Sequence, residues 1–388
     1  MHLGFLVMIL IVTSHVYAQD DTLSYRLLDN LDSLRFAKVE REGFKIMPYV
    51  APSYTPETDF LLTAGGLITF KAQRWNNLLN TSSVPFSVGY SSNGSFTLNI
   101  QNVIYWADDN IRTIGEFIMK EMPDNYWGVG YENGLDERTS RETTFYTRRY
   151  WRFNQRFMFR TKGDMFLGGI IDLNGTKAFD MNPVMEMDEY VLRSGSDVLN
   201  TGLGFVFEYD SRDFVQNAYS GKYFSASMVF FQEYLGGNTK YRVFEFDYRH
   251  YKTIKRKRRT LAWQAKCRFN FGGEVPWSDM AMLGGPYNMR GYTLGRFRDK
   301  NSMSLTGEYR HMFKRKKLNK KGNYDSRFGY VVWMAAGSVM PSLDVQNNWL
   351  PNGGVGLRVE IQPRMNIRID YGIGKSETGF YATFSEAF

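Results

Sequence analysis

In the stretch GVGLRVEIQ, Val355, Leu357, Val359 and Ile361 fall on every second position, with Gly356, Arg358, Glu360 and Gln362 between them. An extended strand sends successive side chains to opposite faces, so this spacing makes one apolar and one polar face. The same period runs through NIRIDYGI, where Ile367, Ile369, Tyr371 and Ile373 alternate with Asn366, Arg368, Asp370 and Gly372. It runs again through LAWQAKCRFNF, where Leu261, Trp263, Ala265, Cys267, Phe269 and Phe271 alternate with Gln264, Lys266, Arg268 and Asn270. Each time the second face is charged.

A soluble sandwich could turn that face to water, but something must then cover the apolar one. The alternation fills nearly the whole chain beyond residue 42 and leaves few helices to do so. A closed barrel resolves the conflict, with lipid outside, a polar lumen inside and no unpaired sheet edge. The expected fold is therefore all-β, a transmembrane antiparallel β-barrel of about sixteen strands, an even number. Strand starts are expected near residues 43, 60, 84, 95, 111, 143, 163, 201, 221, 240, 259, 302, 327, 353, 365 and 379. The segments ADDN, TKGD, KRKRR and QPR then read as short periplasmic turns, and residues 121–142, 175–200, 273–301 and 340–352 as longer surface loops. An aromatic content of 16% suits the ring girdles that such barrels place at both interfaces.

Residues 1–18, MHLGFLVMILIVTSHVYA, read as a secretory signal peptide, with an apolar run before Val16-Tyr17-Ala18. Residues 19–42 read as a short periplasmic segment and 43–388 as the barrel. The one cysteine, Cys267, permits no intrachain disulfide and no cysteine-based metal site. His250 and His311 are the histidines left after the signal, too few for a zinc site or a ready triad, so neither enzyme activity, metal nor cofactor is expected. Two basic runs, Lys252 to Thr260 and Phe313 to Asn323, suggest either simple solvated turns or contact with outer-membrane lipid headgroups or an acidic partner, rather than nucleic acid, which an exported barrel does not meet.

Between the eleventh and twelfth strands lies LGGPYNMRGY, Leu283 to Tyr292, too long and glycine-rich for a hairpin. A barrel of this size leaves a wide lumen, which a loop folding inward could close. Gly284, Gly285 and Gly291 allow tight turns, and Arg290 at the tip needs an anion. Here the sequence resembles the BamA/TamA superfamily of bacterial surface-antigen barrels, whose loop carries an Arg-Gly-aromatic tip, matched by Met289, Arg290, Gly291 and Tyr292. EYDSRD (Glu208 to Asp213), EYR (Glu308 to Arg310), GVGLR (Gly354 to Arg358), RIDYG (Arg368 to Gly372) and the terminal Phe388 follow in the family's order.

The resemblance implies that lumen carboxylates hold the loop arginine, one on strand twelve and one in a Phe-x-Asp-x-Gly motif on strand thirteen. Glu308 fits the first; at the second the chain reads Trp333-Met334-Ala335-Ala336-Gly337, with Ala335 in place of the aspartate. Glu308 and Trp333 are therefore expected to dock the loop together, leaving Arg290 one anion. Ala218 stands where the family's turn has proline. In the last strand, Phe380, Ala382, Phe384 and Phe388 are expected to face lipid as the terminal assembly signal, with Glu386 interrupting that face. The resemblance is to the branch without POTRA or other N-terminal domains. It implies an outer-membrane barrel of a Gram-negative bacterium that inserts or translocates client proteins, with a periplasmic or outer-membrane assembly partner; the alternative is a structural or pore-like barrel.

Overall fold

A computed structural model describes residues 44–73, 79–136, 143–256, 258–315, 325–343, 348–362 and 364–388. The expected signal peptide and periplasmic segment lie outside the described residues, as do 316–323 of the second basic run.

Sixteen strands close into one antiparallel barrel in chain order. The first seven are β1 (Phe44–Thr55), β2 (Asp59–Phe70), β3 (Ser82–Ser91), β4 (Phe96–Trp106), β5 (Ile111–Asn125), β6 (Phe145–Lys162) and β7 (Met165–Phe179). Next come β8 (Asp197–Asp210), β9 (Gly221–Phe231), β10 (Tyr241–Thr253) and β11 (Arg259–Phe271). Two three-residue strands, β12 (Ala281–Leu283) and β13 (Phe297–Asp299), pair with each other apart from the wall. The wall resumes with β14 (Asn301–Lys314), β15 (Asp325–Met340), β16 (Trp349–Gln362), β17 (Met365–Ile373) and β18 (Thr378–Phe384).

The alternation fixes which way each residue points. On β16 Val355 and Leu357 are exposed on the outside while Gly356 and Arg358 are buried inside. Leu203 and Phe205 of β8 and Leu305 of β14 join the same outer band. Outward apolar residues on every strand are what a bilayer solvates and water does not. The largest displacements from the expected starts are at β8, which begins at Asp197 rather than 201, and β16, which begins at Trp349 rather than 353. In both, pairing continues past the apolar band into polar residues such as Asn200 and Asn352, which hydropathy alone assigns to loops.

One end of the barrel carries tight turns, with Ala107, Asp108 and Asp109 at positive φ in ADDN and Gly163 at positive φ in TKGD. Connection 211–220, between β8 and β9, is longer than a tight turn, so the rule of short turns at this end is not uniform. The opposite end carries the described residues 126–136, 143–144, 180–196, 272–300, 341–343 and 348. Closure is uneven: β1 and β2 pair from Phe44↔Phe70 to Thr55↔Asp59, whereas β1 meets β18 at the single register point Tyr54↔Ala382.

A charge placed in the outer band tests the lipid-facing assignment. Leu203→Arg is expected to destabilise the barrel by about 2–4 kcal/mol in vesicles. Met187→Arg, at an apolar and still more exposed residue but in a loop beyond the band, is expected to cost almost nothing; urea unfolding of both variants reads the difference.

Candidate functional site in the barrel lumen

The 272–300 segment turns into the barrel. Its hairpin β12–β13 and the tip between them place Leu283, Met289, Tyr292 and Phe297 in one apolar cluster with Val339 of β15 and Leu350 of β16. Ala335, standing at the family's aspartate position, packs partly buried against this cluster. Its loss of charge is thus a gain of apolar contact.

The tip lies directly on β17. A Cβ on Gly291 would approach the Gly372 carbonyl carbon to 3.0 Å, and one on Gly372 would meet the Arg290 carbonyl oxygen at 2.5 Å. Gly291 also has φ +113°, where a side chain is strained. Both glycines are required by the same approach of two backbones. Tyr292 is fully buried, and its hydroxyl donates to the Pro351 carbonyl oxygen at 2.7 Å and accepts from the Lys375 amide at 2.8 Å.

Arg290 is 3% exposed and meets four groups. Its guanidinium bonds the Glu308 carboxylate and, at 2.7 Å, Asp370 Oδ2. Its Cζ sits 3.8 Å from the centre of the Trp333 ring, and its carbonyl oxygen accepts from Asn352 Nδ2 at 2.6 Å. Glu308 and Trp333 are therefore placed together at the arginine. The expectation of a single anion is corrected: Asp370, two strands beyond the Ala335 position, supplies the second carboxylate. The alternation of NIRIDYGI already turns Asp370 inward, but only the cross-barrel geometry reveals that it reaches the loop.

From Arg290 the ion pairs extend in two directions. Glu308 also binds Arg310 at 2.8 Å, and Arg310 Nη2 donates to the Phe388 carbonyl oxygen at 2.9 Å. Asp370 also binds Arg358 at 2.5 Å, and Arg358 Nε binds Glu386 at 2.8 Å. Asn366 Nδ2 donates to the other Glu386 oxygen at 2.6 Å. Burying charged groups costs several kcal/mol per ion unless each is paired and hydrogen-bonded, so the members of this network depend on one another.

This network overturns the expected orientation of the chain's last residues. Phe380 is 46% exposed and Phe384 lies in the same outward phase, but β18 stops there. Ser385 takes φ +65°, and Glu386, Ala387 and Phe388 turn into the lumen, where all three are buried. Phe388 packs with Ala218, Tyr251 and Ala262 and lies beneath Arg310, 4.9 Å from its Cζ. The small side chain of Ala218 makes part of this seat. Glu386 does not interrupt a lipid face; it is an internal ligand of Arg358.

The two histidines lie elsewhere, on the outer wall near the short-turn end. His250 rests on the Trp263 ring at 4.4 Å, and His311 lies between Tyr309 and Tyr330.

The fold and this lumen arrangement can be compared with known proteins. The Omp85 superfamily domain matches residues 79–388. The chain belongs to the Omp85 superfamily. Among solved structures it is similar to BamA from Haemophilus ducreyi lacking POTRA domains 1–3, with a TM-score of 0.60 at 13% identity, covering 92% of this chain and 78% of that one. It is also similar to CdiB from Acinetobacter baumannii, with a TM-score of 0.53 at 13% identity, covering 89% of this chain and 60% of that one. CdiB from Escherichia coli gives a TM-score of 0.51 at 10% identity over 92% of this chain and 70% of that one. No curated protein matches the chain. The wall and its inner loop are thus those of an Omp85-superfamily β-barrel.

Two measurements test the lumen contacts. Asp370→Asn leaves Arg290 and Arg358 each short of a carboxylate and is expected to destabilise the barrel by about 3–5 kcal/mol, with faster proteolysis within 272–300. In a Cys267→Ser background, a fluorophore on Phe388→Cys is expected to escape quenching by lipids brominated along their acyl chains, while one on Phe380→Cys is strongly quenched.

Proposed function

We propose that this Omp85 barrel inserts or translocates client proteins at the outer membrane, opening at the β1–β18 seam, with a partner supplying periplasmic domains. The observation that carries this reading is how the seam is held. Neighbouring strands elsewhere are joined along most of their length, but β1 and β18 share only Tyr54↔Ala382, backed by the Tyr54–Phe380 ring contact at 5.8 Å. Every unpaired backbone group along such a seam is free to accept an added strand.

The inner loop holds both sides of the seam. Gly291 N donates to the Tyr381 hydroxyl of β18 at 3.1 Å, and Thr293 N donates to Glu377 Oε1 at 2.9 Å. Leu294 N donates to Glu57 Oε1, in the turn after β1, at 3.1 Å. A loop bonded to both margins acts as a latch: withdrawing it from Glu57 removes an inner tie across the joint. The docking residues Met289, Arg290, Gly291, Tyr292, Glu308 and Trp333 would then set how readily the latch lifts.

A second reading, a structural barrel without protein transport, is favoured by the buried ion pairs that tie loop and tail to the wall. Depleting the protein and quantifying the outer-membrane and secreted proteomes, with Arg290→Ala as a companion strain, separates the two. Broad loss of other barrels, or loss of a particular secreted protein, is expected from insertion or translocation. An unchanged proteome with a weakened envelope would support the structural role.

A further inference from the structure

The basic run around KRKRR divides according to which way its residues face. Arg258 points inward and is paired with two carboxylates, Glu360 at 2.5 Å and Asp325 at 3.3 Å. Arg259 points outward, directly opposite His311 of β14, which is opposite Tyr330 of β15. Arg256, in the turn after β10, reaches the same histidine. Arg256 Nη2 lies 3.1 Å and Arg259 Nε 3.2 Å from His311 Nε2.

One imidazole nitrogen offers a single lone pair, and two guanidinium groups converge on it. Apart from His311, Arg256 donates to the Met312 carbonyl oxygen at 2.9 Å. Among the described residues neither Arg256 nor Arg259 forms an ion pair, in contrast to Arg258 between them. Burial and the neighbouring Arg259 push the Arg256 guanidinium below its ordinary pKa, against the weaker opposing pull of Asp325.

The surroundings define what kind of anion fits. Tyr309, Phe313 and Tyr330 form an aromatic frame around His311, with ring centres 5.9, 5.6 and 5.2 Å away. Toward the middle of the wall the same outer face continues in the exposed apolar residues Leu261 and Val332. A cation pair above an apolar wall, at the level of an aromatic girdle, matches an amphiphile with an anionic head and hydrocarbon tails. A soluble acidic protein or a nucleic acid would have to enter the lipid to reach it.

We infer that Arg256 and Arg259 bind the phosphate of an anionic glycerophospholipid in the leaflet at the short-turn end, with His311 holding the two guanidinium groups together. Guanidinium groups suit this task because their paired N–H donors match phosphate oxygens. The bound lipid would tie the turn after β10 to β11 and β14, the two strands between which the inner loop is inserted.

The test is native mass spectrometry of the full chain released from nanodiscs of equimolar phosphatidylglycerol and phosphatidylcholine, with heat-dependent gel mobility as the check on folding. Retention of phosphatidylglycerol over phosphatidylcholine is expected for the unaltered protein and is expected to fall roughly thirty-fold in Arg256→Gln/Arg259→Gln, at the usual strength of one basic residue per anionic surface contact. Arg256→Gln alone, altered only in a turn, is expected to lose about five-fold. Arg242→Gln, an exposed arginine near the opposite rim, is expected to change nothing. Equal retention of the two lipids, or an undiminished preference in folded variants, would overturn the proposal. Displacement of phosphatidylglycerol by inorganic phosphate at millimolar concentration would overturn it too, by assigning the site to a free anion.

Discussion

The burial of one guanidinium in a membrane barrel constrains the whole interior. Arg290 can sit at 3% exposure only because Glu308, Asp370 and Trp333 meet it from three different strands. Those carboxylates in turn neutralise Arg310 and Arg358, which reach the last residues of the chain. Loop, wall and tail are therefore coupled by electrostatics where water is scarce and each missing partner is costly.

Much of the fold could be read from period-two alternation, because in a barrel the two faces meet solvents as different as lipid and a polar lumen. That contrast placed Arg358, Arg368 and Asp370 inside, and the long glycine-rich insertion between β11 and β14. Glu308 and Trp333 were legible at the arginine because inward phase and motif position agree. Asp370 was legible as an inward carboxylate but not as a partner of the loop, since alternation assigns faces and says nothing about which residues meet across the lumen.

The tail shows where that rule stops. Extending the phase of β18 through Ser385 sends Phe388 to lipid, but alternation holds only while the chain stays paired and extended. Ser385 at φ +65° ends it. Glu386 carried the warning in the sequence: a carboxylate facing hydrocarbon is expensive, whereas beside Arg358 it is stabilised. The basic run KRKRR was similarly ambiguous, since residues in a turn have no fixed phase and only the structure separates Arg258 from Arg256 and Arg259, which meet at His311.

The facing pair Gly291 and Gly372 makes the seat of the loop a close fit. Neither backbone leaves room for a side chain at the contact, so even a methyl group at either position would hold the loop off the wall. The same loop reaches Glu57 on the far side of the joint. A change of one small residue on β17 would therefore be felt at the margin of β1, and the loop serves as a spacer that gauges the width of the cylinder at that point.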